Sequence, residues 1–274
     1  RVQAMFARIV PRYDLMNTLM TAGQDRRWRS LAVKLVRPST VLPCLTNKGS
    51  TEVPFPFARE KEKQGASSTR NLATSFLSSE SCKQRSEAAI GLDVAAGTGE
   101  LALTLAREGG LDGVVAIDFC EEMLRVAGVK ASGIPEGSVR ITLVVADGLR
   151  LPFPDDTFIC ATVGFGIRNF VEVPQAFTEI RRVLRPGGRV ACLELTRSPN
   201  DLFNRVFDLY FDRVVPLVGR LVAGDAEAYT YLPNSVKRFP PAEELAEIMR
   251  GTGLRDVHYH RHGLGTVAIH IGTK

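Results

Sequence analysis

Apolar positions along the chain change period from one region to the next. Over residues 1–36 they fall at helical spacing. Val2, Met5, Phe6, Ile9 and Val10 mark one helix; Trp28, Leu31, Ala32, Leu35 and Val36 mark a second, stopped by Pro38. From 37 to 88 neither period persists, and Ser, Thr, Lys, Glu and Pro dominate. This segment reads as a flexible insertion with one short helix near Arg59–Gln64. Long loops cost little, so a tolerated surface insertion is favoured over a docking or regulatory loop.

From residue 89 onward, short apolar runs alternate with helical patterns. IGLDVA leads through a glycine turn into a helix at Glu100–Arg107, and VVAID into a helix at Glu121–Ala131. VRITLVVAD and FICATVGFG are the third and fourth strands. A helix near Pro174–Leu184 ends at Pro186-Gly187-Gly188, and RVACLEL is the fifth strand. Such alternation predicts an α/β fold with a doubly wound, mostly parallel sheet covered on both faces, whose ligands bind beyond the carboxyl ends of the strands. The C-terminal part differs. A very apolar helical stretch runs from Phe203 to Leu221, kinked at Pro216, another helix begins near Pro241, and VHYHRH and TVAIHIG form an antiparallel hairpin at the sheet edge.

Composition narrows the class. The chain has 274 residues, 45% apolar and 24% charged, enough for one substantial core and unlike a disordered chain. No apolar run approaches the roughly 20 residues of a membrane-spanning helix. The first residue is Arg, which reads as a fragment or trimmed product, and no secretory signal is visible. The five cysteines (Cys44, Cys82, Cys120, Cys160 and Cys192) form no CxxC pair, which points to a reducing, cytoplasmic setting. His258, His260 and His262 share one strand face, and an ordinary solvated face is favoured over a metal site, so none is expected. A net charge of +5 reads as a generic basic surface.

The candidate chemistry sits at the end of the first strand, in Asp93-Val94-Ala95-Ala96-Gly97-Thr98-Gly99-Glu100. Gly97 and Gly99 allow a ligand close to the backbone as the chain turns into a helix. GTGELA also satisfies a dinucleotide fingerprint, and a glycine turn that merely packs helix on strand is the plain alternative. The context favours S-adenosylmethionine over NAD. Asp118 ends the second strand, about 20 residues on, where a carboxylate accepts ribose hydroxyls for either cofactor. Glu100, however, stands in the first helical turn, where a pyrophosphate would meet a carboxylate. S-adenosylmethionine carries no phosphate and has a cationic amino-acid end, which suits Asp93 and Glu100. Asp147-Gly148 ends the third strand at an adenine edge, with Leu149 and Leu151 to cover the ring. Ala95, Phe119 and Met123 complete the expected cofactor set.

The chain resembles the ubiquinone/menaquinone biosynthesis C-methyltransferases. The likeness rests on Tyr13-Asp14-Leu15-Met16-Asn17 with Trp28-Arg29, LDVAAGTGE, LPFPDDTF, GFGIRNF, VLRPGG and YTYLPNSVKRFP. It covers essentially all but residues 37–88, an insertion foreign to the family pattern. Asp25 stands where many relatives have His, Glu100 where Asp is usual, and Gly91 where Val or Ile is expected. The resemblance implies a Rossmann-like class I fold with a seven-stranded sheet, an N-terminal helical cap (1–36), a methyltransferase domain (89–274) with a helical lid at about 201–235, and an antiparallel C-terminal strand. It implies cofactor contacts from Thr98, Asp118, Asp147, Gly148 and Gly164.

The implied reaction carries methyl from S-adenosylmethionine to a ring carbon of a prenylated quinol, a naphthoquinol foremost and a benzoquinol as the alternative. Arg168 and Asn169, just beyond the fourth strand, and Tyr13 and Asp14 on the cap are the catalytic candidates, Arg168 as an electrostatic stabiliser of the phenolate or an organiser of water, because a guanidinium is a poor base. A buried salt bridge or a helix cap is the plain reading of each. The apolar stretch from Phe203 to Leu221 reads as the core of a lid, and alternatively as a prenyl-tail groove or a surface for peripheral contact with the inner face of the membrane. A homodimer is compatible with the sequence. An RNA methyltransferase is disfavoured: Gly-Phe-Gly-Ile-Arg-Asn follows the fourth strand where amine-modifying enzymes place Asn-Pro-Pro-aromatic, so no nucleic-acid partner is expected. A cofactor-binding protein without turnover stays open, and a dehydrogenase is more distant.

Overall fold

A computed structural model describes residues 2–37, 88–135, 138–200, 204, 209, 213 and 234–274. The elements in chain order are α1 (Val2–Met20), α2 (Asp25–Val36), β1 (Ile90–Val94), α3 (Glu100–Glu108), β2 (Gly113–Asp118), α4 (Glu121–Ser132), β3 (Arg140–Val145), β4 (Phe158–Gly164), a 3-10 turn (Ile167–Asn169), α5 (Val173–Val183), β5 (Leu184–Leu195), α6 (Ala242–Gly251), β6 (Arg255–His262) and β7 (Val267–Thr273). The strands form one seven-stranded sheet in the order β3-β2-β1-β4-β5-β7-β6. β3 to β5 are mutually parallel, and β7 runs antiparallel to both β5 and β6. The expected doubly wound sheet and C-terminal hairpin are therefore both present. The predicted helix at Arg59–Gln64 and most of the apolar stretch from Phe203 to Leu221 lie outside the described residues.

The strands are apolar on both faces, and successive residues feed two separate cores. Leu92, Val94, Ala161, Val163, Val190 and Cys192 pack against Ala176, Phe177, Ile180 and Val183 of α5 and Leu245, Ala246 and Met249 of α6. Cys160, Ala191 and Leu193 point the other way, onto Leu101, Ala102 and Leu105 of α3 and Trp28, Ala32, Val33 and Val36 of α2. The second N-terminal helix is thus a wall of the core as much as a cap. Gly91 has its own reason: a Cβ there would lie 2.6 Å from Leu111 Cδ1 and 3.3 Å from Cys160 Sγ, so glycine makes room for the α3 layer.

Strand β5 begins earlier than its pattern predicts. Leu184 already pairs with Phe158, and the next pair is Arg189 with Cys160, so Pro186-Gly187-Gly188 falls inside a bulge of the strand. Gly187, at φ +78°, turns the chain back, and its N–H donates to Lys274 O at 3.1 Å. Proline and glycine there read as a stop because their sequence signal is the same for a bulge and a turn.

Candidate active site

The strand order reverses between β1 and β4, and beyond their carboxyl ends lies a cavity of about 560 Å3. Its floor is the turn from β1 into α3. Two non-glycine residues on its wall, Ala95 after β1 and Phe165 after β4, adopt left-handed backbone at φ +54° and +56°. Such backbone persists only where surrounding contacts enforce it, and it concentrates at functional sites. Phe165 is held by its N–H donating to Leu193 O at 2.8 Å, and Ala96 by donating to Ile117 O at 2.8 Å. Gly97 (φ +55°) faces open space: a Cβ there would meet no atom within 4 Å, so its backbone itself borders the cavity. Gly99 serves packing instead, since a Cβ would lie 2.8 Å from Ala127 Cβ.

Two carboxylates flank this turn. Asp93 is buried, its Oδ1 accepts a hydrogen bond from Thr162 Oγ1 at 2.7 Å, and its Oδ2 has no partner within the protein. Burial raises its pKa to about 7, opposed by the Thr162 bond, the Ala102 backbone N–H and the nearby Arg29 charge. Asp118 accepts from the Gly97 N–H through Oδ2 and from the Cys120 N–H through Oδ1, both at 2.8 Å. Burial raises its pKa, and those backbone bonds pull it down. One carboxylate thus pins the glycine turn to the start of α4 while exposing itself to the cavity. Beyond β3, Asp147 Oδ1 accepts from Leu149 N–H at 2.9 Å, and Gly148 lies so close to Phe170 that a Cβ would sit 2.5 Å from its ring.

The roof comes from far away in sequence. Tyr13 and Asn17 of α1 line the cavity, and so does Arg29 of α2, which is ion-paired with Asp25. Asp14 accepts from Thr98 Oγ1 at 2.5 Å and pairs with Lys130 Nζ at 2.6 Å; the same Lys130 reaches Glu100 at 2.6 Å. These four side chains strap α1 to α3 and α4 over the glycine turn. The Tyr13 phenol has its pKa raised by burial and by Asp118, and lowered by Arg168, Asn17 and Arg29.

The structure brings Asp93, Ala95, Gly97, Thr98, Asp118, Phe119, Met123, Asp147, Gly148, Gly164, Tyr13 and Asn169 together on the cavity wall. It leaves three candidates off that wall. Gly99 packs on α4, Asp14 belongs to the strap, and Arg168 is ion-paired with Glu194 at 2.6 Å, its side chain only 8% exposed. Gly164 lines the cavity, yet a Cβ there would lie 2.8 Å from Leu101 Cδ2, so its smallness lets α3 approach β4. Arg29, Asn17 and Lys130 were not singled out as site residues. Arg29 carried a signal as part of the Trp28-Arg29 motif, whereas Lys130 had none, since a lysine in the last turn of an exposed helix has an ordinary explanation. Among the described residues no group of His, Cys, Asp and Glu is placed to hold a metal, and no helix is long and apolar enough to cross a membrane.

A model of the "ubiE/COQ5 methyltransferase family" matches residues 1–91 and 75–274. A demethylmenaquinone methyltransferase from Roseiflexus sp. (strain RS-1) is 37% identical over 276 residues, covering 100% of this chain and 93% of the relative. A mitochondrial 2-methoxy-6-polyprenyl-1,4-benzoquinol methylase from Homo sapiens is 34% identical over 284 residues, covering 100% and 80% respectively. Among solved structures, a SAM-dependent methyltransferase from Thermotoga maritima, described as a possible histamine N-methyltransferase, superposes with a TM-score of 0.57 at 17% identity, covering 100% of both chains, a likeness of fold.

Proposed function

The chain belongs to the ubiE/COQ5 methyltransferase family, and from that premise we propose that it moves the methyl of S-adenosylmethionine to a ring carbon of a prenylated quinol, demethylmenaquinol foremost. The observation that carries this reading is the pairing of Asp93 and Asp118 around an open glycine turn in one cavity. The unpartnered Asp93 Oδ2 suits the ammonium of the donor's amino-acid end, and Arg29 suits its carboxylate. Asp118 takes the ribose hydroxyls, while Asp147, Gly148 and Leu149 border the adenine and Phe119 and Met123 cover it. The residues present therefore fit the cofactor. A dinucleotide fits less well, because Glu100 stands at the N-terminus of α3 where a phosphate would lie.

The sulfonium supplies an electrophilic methyl, so the hard chemistry is the cofactor's. The protein's work is to align the acceptor carbon, keep water out and help a ring hydroxyl lose its proton. Tyr13 and Asn169 face the cavity and orient that hydroxyl by hydrogen bonding. The Arg168 charge, set behind the wall formed by Phe165, Gly166 and Asn169, favours the phenolate that makes the ring carbon nucleophilic. Asp14 acts at one remove, holding Thr98 and α1 in place.

Residues 1–36 act as the cap, 89–274 as the catalytic domain and about 201–235 as a lid, with 37–88 inserted between. A lipophilic acceptor favours a cytoplasmic protein in peripheral contact with the inner face of the membrane, and a homodimer is compatible with it. The second reading, a benzoquinol acceptor, is favoured by the human relative's name. The test is transfer of labelled methyl to reduced, short-tailed demethylmenaquinol, with a demethylated benzoquinol in parallel. Label in menaquinol is the expected result. Label only in the benzoquinol would move the assignment, and label in neither would overturn the reading.

A further inference from the structure

The acceptor side contains a buried ion pair of which the reaction scheme uses only Arg168. Glu194, near the end of β5, has a side chain 1% exposed. Its Oε1 accepts from Arg168 Nη1 at 2.6 Å and from the Leu195 N–H at 2.8 Å, and its Oε2 accepts from the Arg168 N–H at 3.4 Å. Arg168 Nη1 also donates to Phe165 O at 2.6 Å, on the residue whose left-handed turn ends β4. The guanidinium is therefore held through Nη1, while its Nε–H is buried with no acceptor. A buried pair of this kind is weak support for stability, because desolvation offsets most of the attraction. What such a pair does well is fix a direction, and the residue it fixes is followed directly by Asn169 on the cavity wall.

Resting on the reading of Arg168 given above, we propose that Glu194 is a positioning residue for methyl transfer: it clamps the Arg168 guanidinium behind the Phe165–Asn169 wall and so sets the field at the acceptor's reacting oxygen. Glu194 itself does not reach the cavity, and its action runs through Arg168. The Arg168 charge lies near enough to the cavity to oppose the rise that burial causes in the Tyr13 phenol pKa. The other charged groups on the wall, Arg29, Asp93, Glu100, Asp118 and Asp147, are untouched by the substitutions below.

The test compares Glu194→Met, Glu194→Gln and Arg168→Met in the full chain, with S-adenosylmethionine and reduced short-tailed demethylmenaquinol. Fold is checked by thermal melting and donor affinity by calorimetry. Loss of the clamp in Glu194→Met lowers kcat by about 100-fold, as Arg168→Met does, with donor affinity and acceptor KM changed by less than about 3-fold. Glu194→Gln keeps an acceptor for Nη1 and stays within about 10-fold of wild type. It also removes the countercharge, so the uncompensated guanidinium makes the acceptor hydroxyl more acidic and the rising limb of kcat against pH moves to lower pH. The double variant Arg168→Met/Glu194→Met is no slower than Arg168→Met alone. A folded Glu194→Met with wild-type kcat beside a crippled Arg168→Met would overturn the clamp and leave the Arg168 reading standing. Wild-type turnover in Arg168→Met would instead remove the reading beneath it. If Glu194→Met does not fold, Glu194→Asp decides, since it keeps the charge and shortens the reach to Nη1: a kcat well below that of Glu194→Gln supports the clamp, and a wild-type kcat contradicts it.

Discussion

The two halves of the cavity are built in different ways. The donor half is local: β1, its glycine turn and α3 follow one another directly, and Asp118 lies 21 residues from the Gly97 N–H it accepts. The acceptor half is assembled from distant segments, with Thr98 and Asp14 separated by 84 residues and Lys130 and Asp14 by 116. A local half is fixed by the strand–turn–helix that contains it. A distant half depends on α1 and β5 arriving together, so it can be loosened without disturbing the sheet. Damage to one half should therefore appear as lost donor affinity, and damage to the other as lost turnover.

Asp118→Ala makes the sharpest cut. It frees two backbone N–H groups and removes the ribose acceptor, and donor affinity by calorimetry is expected to fall by about 100-fold with the sheet intact. Next in size, Gly99→Val combines a left-handed backbone at φ +83° with a clash against Ala127. Chemical denaturation should show a loss of about 2 kcal/mol or more. Tyr13→Phe keeps the cavity's shape and removes one hydroxyl from the acceptor side, so kcat is expected to fall by about 10-fold while donor affinity holds. Lys130→Met is the mildest. The strap is partly exposed and holds α1 over the acceptor side, so kcat should fall by about 3-fold at low salt and less at high salt while donor affinity holds. If Tyr13→Phe reduced donor affinity as much as Asp118→Ala does, the division into halves would not stand.

The same division explains what could be read from the chain. Asp93, Gly97 and Asp118 were legible because a glycine turn between an apolar strand and a helix has few other uses, and Asp118 falls where the next strand must end, whereas Gly99 carries the same signal for packing on α4. The hairpin of β6 and β7 was legible from its period, while the start of β5 was missed because Pro186-Gly187-Gly188 signals a break without saying whether it is a turn or a bulge. Lys130 and Glu194 were invisible as partners. Nothing in a lysine at the end of α4, or in a glutamate within RVACLEL, names the Asp14 or Arg168 it meets in space. Arg168 was legible as a residue of note, but its ion pair with Glu194 and its place behind the cavity wall needed the fold.

The central claim is that Asp93, through its unpartnered Oδ2, receives the ammonium end of the methyl donor, and the pH dependence of donor affinity tests it most directly. In the free protein burial raises the Asp93 pKa to about 7. Below that pH a proton must be displaced before the donor binds, so affinity should fall toward 10-fold for each further pH unit, about 1.4 kcal/mol each. The same raised pKa works oppositely on folding: the folded chain binds the extra proton, so this group favours the native state increasingly as pH falls from about 7 toward its unfolded value near 4. Calorimetry of S-adenosylmethionine binding from pH 5 to 7.5 should show that acid-side loss in the wild type, and in Asp93→Asn a weak affinity that no longer varies over this range. An Asp93→Asn variant that binds the donor as tightly as wild type, with the same pH dependence, would contradict the account.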